Sequence, residues 1–208
     1  MNTTGRQAHW QNIYTTKADT DVSWFEGAPA ISLALIHAAG TPPDAAVIDI
    51  GGGAARLVDA LLAQSFADVT VLDLSACALA VAQARLGMQA ERVDWVVADV
   101  TRWEPARQYD LWHDRAACHF MVEPDDQRAY VRTLSRALRR GGVAIIGTFA
   151  PDGPERCSGL PVHRHDATSL ARMLGGDFTL LESRPHDHLT PWGAVQHFQF
   201  SMFRHAVV

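Results

Sequence analysis

Short runs of Val, Ile and Leu, separated by stretches whose apolar residues recur at helical spacing, occupy most of the chain. The runs Ala46 to Ile50, Val69 to Leu74, Val93 to Ala98, Tyr109 to Trp112 and Gly142 to Phe149 lack strict polar alternation, so they predict strands buried on both faces. Between them, Leu57, Val58, Leu61 and Leu62 share one side of a predicted helix over Ala55 to Gln64. A second helix, Ala76 to Leu86, is expected to be capped by Ser75 and closed by Gly87. The third, Asp125 to Arg139, carries Tyr130, Val131, Leu134 and Leu138 and is expected to stop at Gly141-Gly142. This alternation predicts a parallel sheet covered by helices.

Beyond Phe149 the pattern changes. The stretch APDGPERCSGLP is dense in proline and glycine and reads as loop, followed by a short helix at Ala167 to Leu174. Two last apolar runs, Phe178 to Ser183 and Val195 to Phe203, flank a linker with Pro185, Pro191 and Gly193, which suits an antiparallel pair at the sheet's end. The expectation is an α/β chain with seven strands.

Composition narrows this picture. At 208 residues, 48% hydrophobic and 20% charged, the chain suits one domain, with residues 1–40 a leader and 41–208 the core. No run approaches the roughly 18 apolar residues of a membrane span, and the start, MNTTGRQAHWQNIY, lacks the build of a signal peptide, so a cytoplasmic protein is expected. Cys77, Cys118 and Cys157 are too scattered for a disulfide framework or a zinc clamp. A formal net charge of −5 gives no general attraction for nucleic acid. The two HxH pairs, at 163–165 and 186–188, have no marked third ligand, so no metal is expected and these histidines read as solvent-facing.

Open parallel sheets bind ligands outside the carboxyl ends of their strands. Four of those positions carry an acid: Asp49 closes the first run, Asp73 the second, Asp99 follows the third and Asp114 follows the fourth. Gly51 to Gly53 lets the backbone turn and approach a ligand closely, although a plain strand-to-helix turn also uses such glycines. Asp73 sits where an acid accepts both hydroxyls of a ribose, or alternatively caps the next helix beside Ser75. A dinucleotide oxidoreductase has the same spacing, but its third glycine belongs at position 56, which here is Arg56.

Together these residues resemble the class I methyltransferase family. VIDIGGGAARL is similar to its first motif, VLDLS to its ribose-binding acid, VVADVT to its adenine-binding turn, and RALRRGGVAIIGTF to its late helix-turn-strand motif. Ala55 departs from the family, many of whose members have a third loop glycine there. The resemblance spans about Tyr14 to Phe203 and implies a Rossmann-like three-layer sandwich, mostly parallel, with a closing antiparallel pair. It further implies S-adenosylmethionine as cofactor, leaving as S-adenosylhomocysteine. Gly51 and Gly53 would flank its methionine part, Asp49 would pair with its ammonium, Asp73 with Leu74 would hold its ribose, and Asp99 with Val100 would read its adenine. The leader HWQNIYTTKADTDVSWFEGAPAISLALI resembles segments that fold over the cofactor, with Tyr14, Trp24 and Phe25 as aromatic cover; Trp24 and Phe25 read equally well as core anchors.

The acceptor end is less defined. WHDRAACHF supplies Asp114, Arg115 and His119 as candidates, with His113 pointing elsewhere if its strand continues that far. Arg156, Cys157, His163 and His165 form a second group on the proline-rich loop. A small-molecule acceptor or a protein side chain both fit, with the small molecule slightly favoured. An NAD(P)-dependent oxidoreductase and a non-catalytic cofactor-binding module are the alternatives, and a shared thiolate site of the three cysteines for arsenic is disfavoured by Cys77, which reads as a small packed residue.

Overall fold

The computed structural model describes residues 3–207. In chain order the elements are α1 (Thr3–Thr16), α2 (Ala30–Ala38), β1 (Ala46–Ile50), α3 (Leu57–Ala63), β2 (Asp68–Asp73), α4 (Ala76–Leu86), β3 (Val93–Val97), β4 (Tyr109–Arg115), α5 (Pro124–Ala137), β5 (Leu138–Phe149), β6 (Arg156–Cys157), β7 (Leu160–Pro161), α6 (Ala167–Leu174), β8 (Phe178–Leu189) and β9 (Val195–His205). Seven strands form one sheet in the order β3-β2-β1-β4-β5-β9-β8; β6 and β7 form a separate small hairpin. The first five are parallel neighbours, and β9 runs antiparallel to both β5 and β8. The expected mixed sheet with a closing antiparallel pair is therefore present.

Side chains along a strand alternate between faces, and here both faces are apolar. Val47, Val71, Leu111, Val143 and Ile145 pack on one side with Leu35 and Ile36 of α2, Leu57 and Leu61 of α3, and Leu79 of α4. Ile48, Ile50, Leu72, Trp112, Ala144 and Ile146 pack on the other with Tyr130 and Leu134 of α5 and Leu170 of α6. The result is three layers. This parity also decides where polar residues at the strand ends go: Asp49 and His113 share the α2 face, while Asp114 turns to α5.

Several boundaries differ from the expectation. β4 continues through Asp114 to Arg115, so neither residue lies in a loop. The α5 helix ends at Ala137, and the chain turns straight into β5 at Leu138, where φ is −88° and ψ 124°. Gly141-Gly142 thus lies inside a strand; pairing of Tyr109 with Leu138 draws the chain into the sheet early. The hairpin β8–β9 is also longer than its apolar runs. Pro185 is accommodated because β8 is the sheet's edge, where no further strand needs its missing N–H. No helix among the described residues is long and apolar enough to cross a membrane.

Candidate active site

The carboxyl ends of β1, β2, β3 and β4 meet at one edge of the sheet, and the loops there are shaped around an open cleft. Gly51 has φ +67°, and a Cβ on it would stand 2.7 Å from the Ala117 methyl. Gly53 has φ +40°, and a Cβ on it would stand 2.7 Å from Asp73 Oδ2. Side chains at these positions would strain the turn and fill the space beside the acid.

Asp73 is buried, and its Oδ1 accepts the Ser75 N–H at 2.7 Å. Burial pushes its carboxyl up to about 7, a shift that this hydrogen bond opposes and the neighbouring Asp49 charge reinforces. Ser75 caps α4, accepting from the Ala78 N–H, so Asp73 is not the cap. Asp99 holds its own loop by accepting from the Thr101 N–H at 2.9 Å and hydroxyl at 2.7 Å.

Helix α1 lies across the cleft. Its Arg6 guanidinium reaches Asp126 at 3.0 Å and Asp99 at 3.4 Å, and Gln11 Oε1 accepts from the Ser75 hydroxyl at 2.5 Å and the Cys77 N–H at 3.0 Å. His9 meets the Ser158 hydroxyl of the β6–β7 turn at 3.2 Å. Trp10 packs edge-on against Trp24 and Phe120, and the Trp24 indole donates to the Tyr14 hydroxyl at 3.2 Å. Burial holds the Tyr14 phenol above its ordinary range, so it stays protonated. The cleft beneath, about 780 Å³ with its open mouth, is lined by Arg6, Trp10, Tyr14, Trp24, Gly51, Asp73, Leu74, Asp99, Val100, Arg115, Phe120, Met121 and Cys157 among others.

A second cavity adjoins it, sharing Tyr14, Trp24, Gly51 and Arg115, and adds Phe25, Ser32, Asp49, Gly52, Arg56 and His113. Asp49 and His113 are partners in register on β1 and β4, and Asp49 Oδ1 lies 2.7 Å from His113 Nδ1. On its far side His113 Nε2 faces the Ser32 hydroxyl at 2.9 Å. All three side chains are buried.

The acceptor candidates separate. Arg115 lines both cavities, donating to the Trp24 carbonyl at 3.0 Å and standing 3.6 Å from Glu26. Burial lowers its pKa, which Glu26 opposes. Asp114 lines neither described cavity: it is fully buried, accepting from the Tyr130 hydroxyl at 2.7 Å and from the Ala117 and Cys118 N–H groups. Burial pushes it to about 6. His119 is also fully buried, between Phe120 and Phe149, and burial lowers its pKa to about 3. The extension of β4 is the reason: it puts Asp114 on the α5 face and carries the following turn inward.

In the second group only Cys157 lines the cleft, its thiol pushed up to about 12 by burial. Arg156 is exposed and bonds the Gly159 carbonyl; His163 stacks near His165 at 4.4 Å. Cys118 is buried below the cleft and Cys77 opens α4, so the three cysteines share no site. Two of the four HxH histidines are buried rather than solvent-facing: His165, and His188, which donates Nε2–H to the Ser23 carbonyl at 2.7 Å while Nδ1 accepts from Arg115. No group of three or more metal-ligating side chains occurs among the described residues. Sequence reasoning did not find Ser32, Arg6 or Gln11, and read Arg56 only as a missing glycine; none of these has a marked motif.

Comparison with known proteins agrees with this geometry. Residues 47–142 match a family model described as a methyltransferase domain. A structure described as "Conversion of a Disulfide Bond into a Thioacetal Group during Echinomycin Biosynthesis" superposes with a TM-score of 0.76 at 24% identity, covering 96% of this chain and 93% of the other. The 1,6-didemethyltoxoflavin-N1-methyltransferase of Burkholderia thailandensis, with its substrate and S-adenosylhomocysteine bound, gives 0.68 at 24% identity, covering 98% and 85%. A methyltransferase from Anabaena variabilis gives 0.74 at 15% identity, covering 99% and 96%. No curated protein matches the sequence. Residues 47–142 are thus similar to a methyltransferase domain, and the whole chain shares the fold of these methyltransferase structures.

Proposed function

We propose that the chain methylates a small molecule held in the cleft between α1 and the sheet, as one domain with residues 1–40 as its cover. The observation that carries this is α1 itself. It is tied to the Ser75, Asp99 and Ser158 loops at once, which covers an aromatic and thiol-lined cleft of the size that small-molecule sites have. The small-molecule substrate of the toxoflavin enzyme is consistent with it.

On this proposal the cofactor is S-adenosylmethionine, and the cleft residues fit it. Gly51 and Gly53 leave a cradle that a Cβ would fill, and Asp73 is a buried acid whose Oδ2 faces that cradle. On this reading Asp73 accepts the ribose hydroxyls beside Leu74, Asp99 and Val100 take the adenine, and Asp49 takes the ammonium. Tyr14 and Trp24 lay aromatic faces near the sulfonium, where a desolvated cation is attracted. When bound, the cofactor supplies an electrophilic methyl group for in-line displacement. The chain contributes orientation and exclusion of water, and orientation alone is worth roughly 7 to 11 kcal/mol of barrier. Arg115, fixed by Glu26 and the Trp24 carbonyl, orients the acceptor.

Incubation with methyl-labelled cofactor and a cell extract, followed by separation by size, tests the acceptor class. Label in the small-molecule fraction, lost in Asp73→Ala, is expected; label only in protein would overturn the proposal.

A further inference from the structure

A buried histidine of the closing hairpin grips the leader between α1 and α2. His186 and His188 point to the same side of β8, as residues two apart on a strand do, and that side meets the leader. His188 is buried, and its ring is engaged at both ends. Nε2 lies 2.7 Å from the Ser23 carbonyl oxygen, and Nδ1 lies 3.5 Å from Nη2 of Arg115. The neutral ring with its proton on Nε2 serves both contacts, donating to the carbonyl and accepting from the guanidinium.

The same Nη2 donates to the Trp24 carbonyl at 3.0 Å, so His188 and Arg115 together hold two successive peptides of the leader. Glu26 stands 3.6 Å from Arg115 Nε and 3.9 Å from His186, and the Phe198 ring of β9 packs against both Arg115 and His188. What this clasp holds faces the cleft. Arg115 and Trp24 line it, and the Trp24 indole donates to Tyr14 and packs on Trp10 of α1. His188 lines neither the cleft nor the second cavity, so its effect on them passes through these neighbours.

We propose that His188 is a positioning residue for methyl transfer: it locks the Ser23 carbonyl to the Arg115 guanidinium and thereby fixes Trp24 and Arg115 at the cleft. This rests on the methyltransferase reading and extends the site to a hairpin that none of the cofactor motifs reaches. Without the clasp, Trp24 and Arg115 have more than one arrangement. Misplacement by about 1 Å around a reacting centre costs up to about a hundredfold in rate.

The test compares wild type with His188→Gln and His188→Asn. Glutamine carries its amide N–H to the Nε2 position and keeps the bond to Ser23, whereas asparagine reaches only the Nδ1 position. In one arm, methyl-labelled S-adenosylmethionine and the small-molecule fraction of a cell extract give transfer rates across a range of cofactor concentration, per folded protein. His188→Asn should lower the rate at saturating cofactor at least about tenfold, with the half-saturating concentration within about threefold of wild type. His188→Gln should recover most of that rate. In the other arm, a lysine-specific protease probes Lys17, the only lysine of the chain, exposed where the leader leaves α1. Cleavage should be at least about fivefold faster in His188→Asn than in wild type and close to wild type in His188→Gln. A wild-type rate in His188→Asn, or equal losses in both variants, would overturn the proposal. Where His188→Asn does not fold, His188→Leu takes its place in the same comparison. No label transferred by wild type would remove the methyltransferase reading and the proposal with it; the cleavage rates need no acceptor and tell that failure from failure of the clasp.

Discussion

His113 Nδ1 lies 2.7 Å from Asp49 Oδ1, side by side on parallel strands in register. Half of the carboxylate is therefore committed to the protein, and its other oxygen is held toward the second cavity. His113→Ala leaves both Asp49 and Ser32 without their buried partner. It should cost about 1 to 3 kcal/mol of stability in urea unfolding. Calorimetry should show S-adenosylhomocysteine affinity reduced by roughly tenfold, because Asp49 loses its fixed orientation.

Asp73 imposes a pH dependence with a definite sign. Its folded pKa, about 7, lies above the ordinary aspartate value of 3.8, so between these limits the folded state binds more protons than the unfolded one. The free protein should lose stability as pH rises from about 4 to 7 through this group, and Asp73→Asn should remove that slope from denaturation curves. Ribose hydroxyls donate to the ionised form, so cofactor affinity should fall as pH drops below about 7. Calorimetry at pH 6.5 in buffers of different ionisation enthalpy should register proton release on binding, absent in Asp73→Asn.

Gly53→Ala puts a methyl where the cleft has no room and where φ is +40°. The expected outcome is destabilisation of about 1 to 3 kcal/mol and at least a tenfold loss of cofactor affinity, read by thermal unfolding and calorimetry.

Asp114 acts on the turn after β4, accepting from the Ala117 and Cys118 N–H groups and from Tyr130. Tyr130→Phe should lower stability by about 1 to 2 kcal/mol while kcat stays within about threefold of wild type. A kcat loss of a hundredfold in folded protein would place this pair in the chemistry instead.

Arg6 joins α1 to Asp99 and Asp126. Arg6→Ala should speed dissociation of S-adenosylhomocysteine several-fold in stopped-flow experiments and expose α1 to limited proteolysis, with global unfolding changed by less than about 1 kcal/mol.

Much of the fold was legible in the chain. The cores of all seven sheet strands and of α4 and α6 lie where apolar runs and caps place them, because those signals are local. The glycine-and-acid end of the cleft was legible for a related reason: Gly51, Gly53, Asp73 and Asp99 each close or follow a strand, so finding the strands finds them. Asp114 and His119 were misplaced for the converse reason. A three-residue extension of β4 turns Asp114 to the α5 face and buries His119, and no local pattern marks where a strand ends within WHDRAACHF.

The sequence alone determined the order of strands and helices, the glycine turn and the acids at the strand ends, since each depends on neighbours a few residues away. Tertiary structure decided which of those acids face the cleft, that His113, itself held by Ser32, fixes Asp49, and that α1 reaches the β6–β7 turn. These contacts join residues 64 to 149 positions apart. They depend on strand register, on the alternation of faces and on how a helix docks, none of which is written in short-range periodicity.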